Sequence, residues 1–157
     1  MPQTISKSVD AATSDREMES LHIHQEIEIN APIAKSWQAL LDELGPEGQM
    51  PDGSPNPIKL EAWPGGRLFR DLGDNAGHFW GHVQVIKPPT LLEICGPLFM
   101  SYPAMNHIQY RLVADGKKTK LSFTHRGVGQ ILPEHREGVN KGWQMKLNRV
   151  RELAERE

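Results

Sequence analysis

The stretch Glu61–Asp71, EAWPGGRLFRD, decides the fold class, because Pro64, Gly65 and Gly66 separate two runs in which apolar and polar residues alternate. A loop that cradles phosphate needs glycine-rich backbone that leads into a helix N-terminus, ideally with a lysine at a suitable offset. Here the glycines lead into RLFRD, which has the alternation of a strand and contains no lysine. We therefore interpret PGG as a hairpin turn and not as a phosphate loop.

Strand-like runs lie on both sides of this turn and continue along the chain. Alternation with a period of two indicates half-buried strands. The intervals between the runs hold turn residues, such as Asp115 and Gly116 in ADGKK. Seven strands are predicted in this way: His22–Ile29, Ile58–Trp63, Arg67–Leu72, His78–Ile86, Thr90–Cys95, His107–Val113 and Thr119–His125.

Two other segments have helical spacing. The segment Asn30–Leu44 begins with a possible N-cap and has Pro32 near its first turn, and a loop rich in Gly and Pro follows at residues 45–57. A final segment from about Pro133 is long enough, at about 30 Å, to cross a sheet. Its apolar stripe contains Val139, Trp143, Leu147, Val150 and Ala154. The order strand, helix, six strands, long helix predicts an α+β fold with one antiparallel sheet and its helices on one face.

The composition fits a single globular domain. The chain has 157 residues, of which 38% are hydrophobic, and its net charge is −2. This charge provides no excess of positive residues for nucleic acid, and no apolar run reaches the roughly 18 residues of a membrane helix. We therefore expect a cytoplasmic protein without nucleic-acid partners or a membrane span. We also expect a disordered arm at residues 1–20 and one domain at residues 21–157.

Five successive motifs resemble those of one superfamily. They are IEINAPIAKSWQAL, PGGRLF, GHVQVIKPPTLLEI, TKLSFTHRG and NKGWQMKL, within residues 23–153. In this order they are similar to the SRPBCC superfamily, and within it to the START-like proteins grouped with the activator of heat-shock protein 90 ATPase. The resemblance implies a helix-grip fold, in which a curved antiparallel sheet of six to seven strands wraps the long C-terminal helix and leaves a cavity between them.

Such a cavity predicts a binding site for a small, mostly apolar or amphipathic molecule. Ligand sites are mostly apolar, with a few polar groups for orientation. Alternation puts twelve residues on the sheet face towards the long helix: Leu60, Leu68, Phe79, Val83, Val85, Leu92, Ile94, Ile108, Tyr110, Leu112, Leu121 and Phe123. The predicted ligand-binding residues are Leu60, Leu68, Phe79, Ile94, Tyr110, Phe123, His125, Trp143 and Leu147. Filled core is the alternative reading for each of them.

Three polar residues fall on the same inner face: Gln25, Tyr110 and His125. His125 continues the inward series of Leu121 and Phe123, and an imidazole can donate, accept or titrate near neutral pH. One interpretation is an acid or base in a cavity enzyme of the cyclase, dehydratase or hydrolase kind. The other is a structural hydrogen bond. The sequence contains no nucleophile elbow and no carboxylate pair whose spacing argues for catalysis.

We predict neither a metal site nor a cofactor. Alternation puts His78 and His82 on one strand face, but four residues of strand separate them by about 13 Å, too far to share one zinc ion. His22 and His24 are closer, at about 6 to 7 Å, but they fit a solvated strand face better.

The outer face of the sheet is a candidate surface for a protein partner or a homodimer. Alternation points Trp63, His78, Trp80 and His82 away from the helix, and exposed aromatic residues often mark protein contacts. The resemblance implies a second function of this kind, a protein-interaction module that acts on a chaperone. The sequence therefore leaves three hypotheses, which are ligand binding, chaperone interaction and cavity catalysis.

Overall fold

The computed structural model describes residues 16–156, which form seven strands and two helices. The predicted disordered arm lies outside the described residues from 1 to 15, and the first strand begins at Glu19. In chain order the elements are β1 (Glu19–Ile29), α1 (Ile33–Glu43), β2 (Lys59–Leu60), β3 (Arg67–Gly73), β4 (Ala76–Lys87), β5 (Leu91–Gly96), β6 (Ala104–Asp115), β7 (Lys118–Gly129) and α2 (Pro133–Ala154).

The strands form one antiparallel sheet in the order β1-β7-β6-β5-β4-β3-β2. From β2 to β7 each strand therefore pairs with the next one in sequence, as the short turns between them require. β1 pairs along its whole length with β7, from Glu19 opposite Gly129 to Ile29 opposite Thr119. Together with the two helices, this sheet confirms the predicted α+β helix-grip fold.

The long helix α2 packs against the sheet through the predicted apolar stripe. Val139, Trp143, Leu147, Val150 and Ala154 are all buried. The indole ring of Trp143 lies 4.4 Å from the ring of Phe123 in β7, measured between centroids. Burial of this stripe removes apolar surface from water, which is the main favourable contribution to folding.

The helix α1 begins later than its sequence signals predict. Its N-cap is Pro32 and not Asn30, whose backbone N–H instead donates to the Glu155 carboxylate at 2.9 Å. The helical spacing of its apolar residues is confirmed, because Trp37 and Leu40 are buried.

The PGG segment is a turn between β2 and β3. Gly65 has a φ of 85°, a backbone conformation that glycine adopts without strain. The Glu61 carboxylate accepts hydrogen bonds from the backbone N–H and the guanidinium of Arg67, at 2.9 and 2.8 Å. The strand β2 is short, Lys59–Leu60, and contains only two of the six residues predicted for it. The turn leads into a strand, which agrees with the interpretation that it is not a phosphate loop.

A bulge in β4 makes the predicted side-chain directions of His78, Phe79 and Trp80 wrong. Leu68 pairs with Gly81, but the next residue, Phe69, pairs with Phe79, so Trp80 is an extra residue without an opposite partner. One extra residue reverses the alternation beyond it. Phe79 is therefore 44% exposed and not part of the inner face, whereas Trp80 packs against the core and not on the outer face.

A second irregularity in the same strand has the same effect on Val85. Val83 pairs with the buried Ile94, but Val85 pairs with Glu93, and the pairing skips one residue between them. Ile86 then pairs with Leu92 and packs against the core in place of Val85. Alternation alone fails at both positions because the extra residue is visible only in the pairing of two strands.

Neither described helix is both long enough and apolar enough to cross a membrane.

Candidate ligand-binding groove

An open groove of about 370 Å³ lies at one end of α2. Four parts of the chain form its walls: the loop after α1, the start of α2, strands β3 and β4, and the loop after β5. Its lining residues are Gln49, Met50, Pro51, Asn56, Arg70, Trp80, Phe99, Glu134, His135, Gly138, Val139, Gly142, Trp143 and Lys146. The groove therefore combines segments that are far apart in the sequence.

Three aromatic rings form the apolar part of the groove. Trp143 belongs to α2, Trp80 comes from the bulge in β4, and Phe99 comes from the loop that follows β5. The rings of Phe99 and Trp143 are 6.0 Å apart between centroids and tilted by 55°. Phe99 is 38% exposed, so apolar surface is available to a ligand.

Two glycines in α2, Gly138 and Gly142, line the groove where other residues would carry side chains. A Cβ atom added at either position would meet no heavy atom within 4 Å. Neither glycine is therefore required for close packing among the described residues. Glycine inside a helix is less stable than alanine by roughly 0.5–1 kcal/mol. These two residues keep the groove open at a cost in helix stability.

A smaller cavity of about 130 Å³ continues the groove along α2 and has a charged wall. It shares Gln49, Met50, Pro51, Gly142 and Lys146 with the groove. The buried Glu43 carboxylate lies there, 3.3 Å from the Lys146 ammonium. Burial raises the pKa of Glu43, and the positive charge of Lys146 opposes that change.

An ion pair attaches the loop after α1 to α2. The Arg149 guanidinium donates to the Glu47 carboxylate at 3.0 Å and to the Glu47 carbonyl at 3.3 Å. The side chain of Arg149 is only 12% exposed, so the pair is screened less by solvent than a surface pair. This contact holds the loop wall against the helix.

The predicted candidate His125 belongs to a buried chain of hydrogen bonds. The Trp143 indole N–H donates to Nδ1 of His125 at 2.9 Å. Nε2 therefore carries the ring proton and donates to Oδ1 of Asn106 at 2.7 Å. The Asn106 amide continues the chain by donating to the Pro97 carbonyl at 3.3 Å. Burial lowers the pKa of His125 to about 4, so its ring is neutral near pH 7.

The predicted candidate Tyr110 is also buried, in contact with Phe123 at a centroid distance of 5.0 Å. Its hydroxyl has no hydrogen-bond partner among residues 16–156. Burial raises the pKa of Tyr110 well above its ordinary value, and the charge of Glu43 raises it further. The third polar candidate, Gln25, donates to the backbone carbonyl and the side-chain oxygen of Asn140 on α2, at 2.8 and 2.7 Å.

Of the nine predicted ligand-binding residues, only Trp143 lines the groove. Six others are fully or almost fully buried, so the space between the middle of the sheet and α2 is filled: Leu68, Ile94, Tyr110, Phe123, His125 and Leu147. Leu60 is half-buried and lines a separate depression beside α1. Phe79 is exposed, and its ring lies 4.8 Å from that of His82.

The histidines that the sequence predicts to be poor metal ligands lie beside protein side chains or on different faces of the sheet. His24 hydrogen-bonds to Thr124 at 2.9 Å and to Glu26 at 3.3 Å. His78 and His82 lie on opposite sides of the bulge and do not share the predicted face. Within residues 16–156, no three His, Cys, Asp or Glu side chains are grouped so that they could hold a metal ion.

Sequence reasoning missed most of the groove residues. Asn56, Met50 and Phe99 lie in loops, where neither helical nor strand periodicity assigns a direction to a side chain. One usable signal was present, because Gly138 and Gly142 are one helical turn apart inside a predicted helix. Glycine pairs of that kind weaken a helix, so they indicate a packing or functional reason.

Comparisons with known proteins identify a family and a shared fold. Residues 29–155 match the family described as "Activator of Hsp90 ATPase homolog 1-like protein". No curated protein matches the chain.

Solved structures with the same fold are distant in sequence. Protein CV1439 from Chromobacterium violaceum has a TM-score of 0.65 at 20% identity, over 87% of this chain and 98% of its own. The Zhui aromatase/cyclase from Streptomyces sp. R1128 has a TM-score of 0.62 at 20% identity, with coverages of 88% and 95%. CalU16 from Micromonospora echinospora has a TM-score of 0.58 at 20% identity, with coverages of 88% and 87%. At this identity the likeness concerns the fold alone.

Proposed function

Because the chain belongs to the family of Activator of Hsp90 ATPase homolog 1-like proteins and has a fold that suits ligand binding, we propose that it binds a small, mostly apolar molecule. The ligand occupies the groove beside Trp80, Phe99 and Trp143 and not the filled space between the sheet and the middle of α2. The proposal therefore keeps the predicted class of ligand and moves the site.

The observation that carries the proposal is the absence of side chains at Gly138 and Gly142. Both positions lie inside a helix, where alanine would be more stable, and both have free space above them. Aromatic rings surround that space, so filling it with an apolar molecule would bury apolar area on both partners. An open groove kept at the expense of helix stability is expected where function needs the space.

The test is to fill the groove from the protein side with Gly142→Leu. Leucine favours the helix, so we expect the free energy of unfolding to stay the same or rise. We expect the affinity for a fluorescent fatty-acid analogue, measured by fluorescence titration, to fall at least tenfold. The matched control is Gln144→Leu, which adds the same side chain at an exposed helix position two residues away. Equal binding by the wild type and Gly142→Leu would show that the ligand is not in the groove.

Native mass spectrometry of the freshly purified protein provides an independent measurement. A retained small molecule, identified after organic extraction, would support the proposal and name a ligand. Its loss in Gly142→Leu and retention in Gln144→Leu would assign it to the groove.

The match to the family supports one alternative, an interaction with a chaperone. A chaperone interaction does not need the groove, so Gly142→Leu should not change the effect of the protein on the chaperone. The test is the ATPase turnover of the chaperone with and without the purified wild-type protein. An unchanged turnover would count against the alternative. Acid or base catalysis by His125 or Tyr110 has less support, because neither side chain lines the groove.

A further inference from the structure

Arg70 is a half-buried cation in the wall of the groove. It lies in β3 two residues after the buried Leu68, so both side chains point to the inner face of the sheet. The extra residue of the bulge belongs to β4, so alternation along β3 is not interrupted between these two residues. Phe69, between them, points to the other face, where the Arg67 guanidinium lies 4.3 Å from its ring centroid. The Arg70 side chain is therefore directed towards the groove.

The cations near Arg70 are paired, but Arg70 is not. Lys59 pairs with Asp71 at 3.0 Å, and Arg67 pairs with Glu61 at 2.8 Å. Within residues 16–156 the Arg70 guanidinium forms no salt bridge, no side-chain hydrogen bond and no cation–π contact. A half-buried guanidinium has lost part of its hydration and still carries a full charge and five N–H donors. This position is therefore suited to an anionic group from outside the chain.

Arg70 lies at the mouth of the groove. It lines both the groove and an open depression of about 380 Å³ next to it, and Trp80 and Phe99 are shared by the two. Trp143 and Val139 line the groove but not the depression. A ligand whose apolar part lies against the aromatic rings would therefore place a head group beside Arg70, at the boundary with solvent.

The other charged residues of the groove do not offer an unbalanced positive charge. Lys146, on α2, is 3.3 Å from the buried Glu43 carboxylate, so an internal acid already balances its charge. Glu134 also lines the groove, at an exposed position in the first turn of α2, but it forms no salt bridge with Arg70. Among the described residues, Arg70 is therefore the cation of the groove that has no internal counter-ion.

We infer that the ligand of the groove is amphipathic, with a carboxylate head group that binds Arg70 and an apolar body that packs against the aromatic rings. A guanidinium binds a carboxylate through two parallel hydrogen bonds, which are charge-assisted and stronger than neutral ones. A singly charged head group also balances the single charge of Arg70. Arg70 thus determines specificity for anionic over neutral head groups. The inference rests on the proposed function, because it names the chemical class of the ligand for the same groove.

The experiment compares the fluorescent fatty-acid analogue with its primary amide. The amide has the same apolar body and nearly the same head-group shape, but it carries no charge. Affinities for the full-length protein are measured by fluorescence titration near pH 7, where the carboxyl group is ionised. We expect the wild type to bind the acid about tenfold more tightly than the amide. Because Arg70 is only half-buried, this preference should decrease at high salt.

The matched variant is Arg70→Met, which keeps much of the apolar stem of the side chain and removes the charge. We expect it to bind the acid and the amide equally well. Arg70→Lys should keep part of the preference, since an ammonium group retains the charge but not the paired hydrogen bonds. Arg126→Met, which removes the same charge at an exposed position of β7, should keep the wild-type preference. If Arg70→Met did not fold, the wild type and Arg70→Lys would still test the inference.

The outcomes separate this inference from the proposed function. Equal binding of the acid and the amide by the wild type, or a preference that persists in Arg70→Met, would overturn the role of Arg70 and leave groove binding intact. Loss of the preference in Arg126→Met as well would show that it depends on the net charge of the protein, which also overturns the inference. If neither probe bound the wild type, or if Gly142→Leu bound both as the wild type does, both proposals would be wrong.

Discussion

The imidazole of His125 connects α2 to the loop after β5 through its two ring nitrogens. One nitrogen accepts from Trp143 and the other donates to Asn106, whose amide reaches the Pro97 carbonyl. The loop that begins at Pro97 carries Phe99, an aromatic wall of the groove. The role that these contacts support for His125 is therefore to hold the wall in position, and both nitrogens are already occupied.

We expect His125 to make folding stability depend on pH. Burial lowers its pKa from 6.5 to about 4 in the folded protein. Between these pH values His125 binds a proton in the unfolded chain but not in the folded chain. The contribution of neutral His125 to the free energy of unfolding is therefore fully present above pH 6.5 and is lost as the pH falls towards 4. His125→Gln keeps a donor and an acceptor but does not titrate. The free energy of unfolding of this variant should therefore fall less steeply with decreasing pH than that of the wild type. The two slopes should differ by up to about 1.4 kcal/mol per pH unit.

Denaturant unfolding at several pH values between 4.5 and 7.5 measures this difference. Other titrating groups, such as Glu43, are present in both proteins, so their contributions cancel in the comparison. The control is His22→Gln, the same substitution at an exposed position on β1. If the curves of His125→Gln and the wild type were parallel, His125 would not be the group responsible.

At the scale of the elements, the bulge in β4 decides which aromatic residue reaches the groove. Without it, alternation would bury Phe79 and expose Trp80, and the groove would lose one of its three rings. Gly81 next to the bulge permits the close approach of β5, because a Cβ there would lie 2.7 Å from the Cys95 carbonyl oxygen. A bulge that re-aims one side chain is a common device beside functional sites.

Because of the bulge, we expect substitutions of the adjacent residues Phe79 and Trp80 to have different effects on ligand affinity. Trp80→Ala should weaken binding of the fluorescent fatty-acid analogue about tenfold, since it removes a ring from the groove wall. Phe79→Ala should change the affinity less than twofold, because Phe79 points to the other face. Fluorescence titration of the two variants beside the wild type checks this. A larger effect from Phe79→Ala would mean that the strand keeps simple alternation.

At the scale of the whole molecule, the groove exists because a loop and a helix that are far apart in sequence are held together. The pair of Glu47 and Arg149 joins the loop after α1 to α2. The same loop contributes Met50 and Asn56 to the groove. Loss of this contact should therefore affect ligand binding although neither charged residue lines the larger groove.

We predict that Arg149→Met loosens the loop and weakens ligand binding. The substitution keeps much of the apolar stem of the side chain and removes the charge and the hydrogen bonds. Backbone amides of residues 48–58 should then exchange hydrogen faster, by about tenfold, while those of β6 and β7 should be unchanged. Hydrogen exchange followed by mass spectrometry measures both regions. Arg126→Met, at an exposed position of β7, is the control, and equal exchange in the two variants would contradict the prediction.

Local periodicity is sufficient to predict most of the architecture of this protein. The alternation in His22–Ile29 and the stripe of Trp143 and Leu147 each depend on neighbouring residues only, so the strands, the long helix and the α+β class follow from the chain itself. The family resemblance rests on motifs in the same segments. These predictions agree with the structure because strand and helix geometry repeat within a few residues.

The location and character of the groove depend on the tertiary structure. The direction of Trp80 follows from a bulge between paired strands, and the filled space around His125 follows from how Trp143 packs against Phe123. Local sequence patterns predict the elements and the apolar surfaces that they bury. Only packing between distant segments decided where space was left for a ligand, because a cavity is a property of several surfaces together.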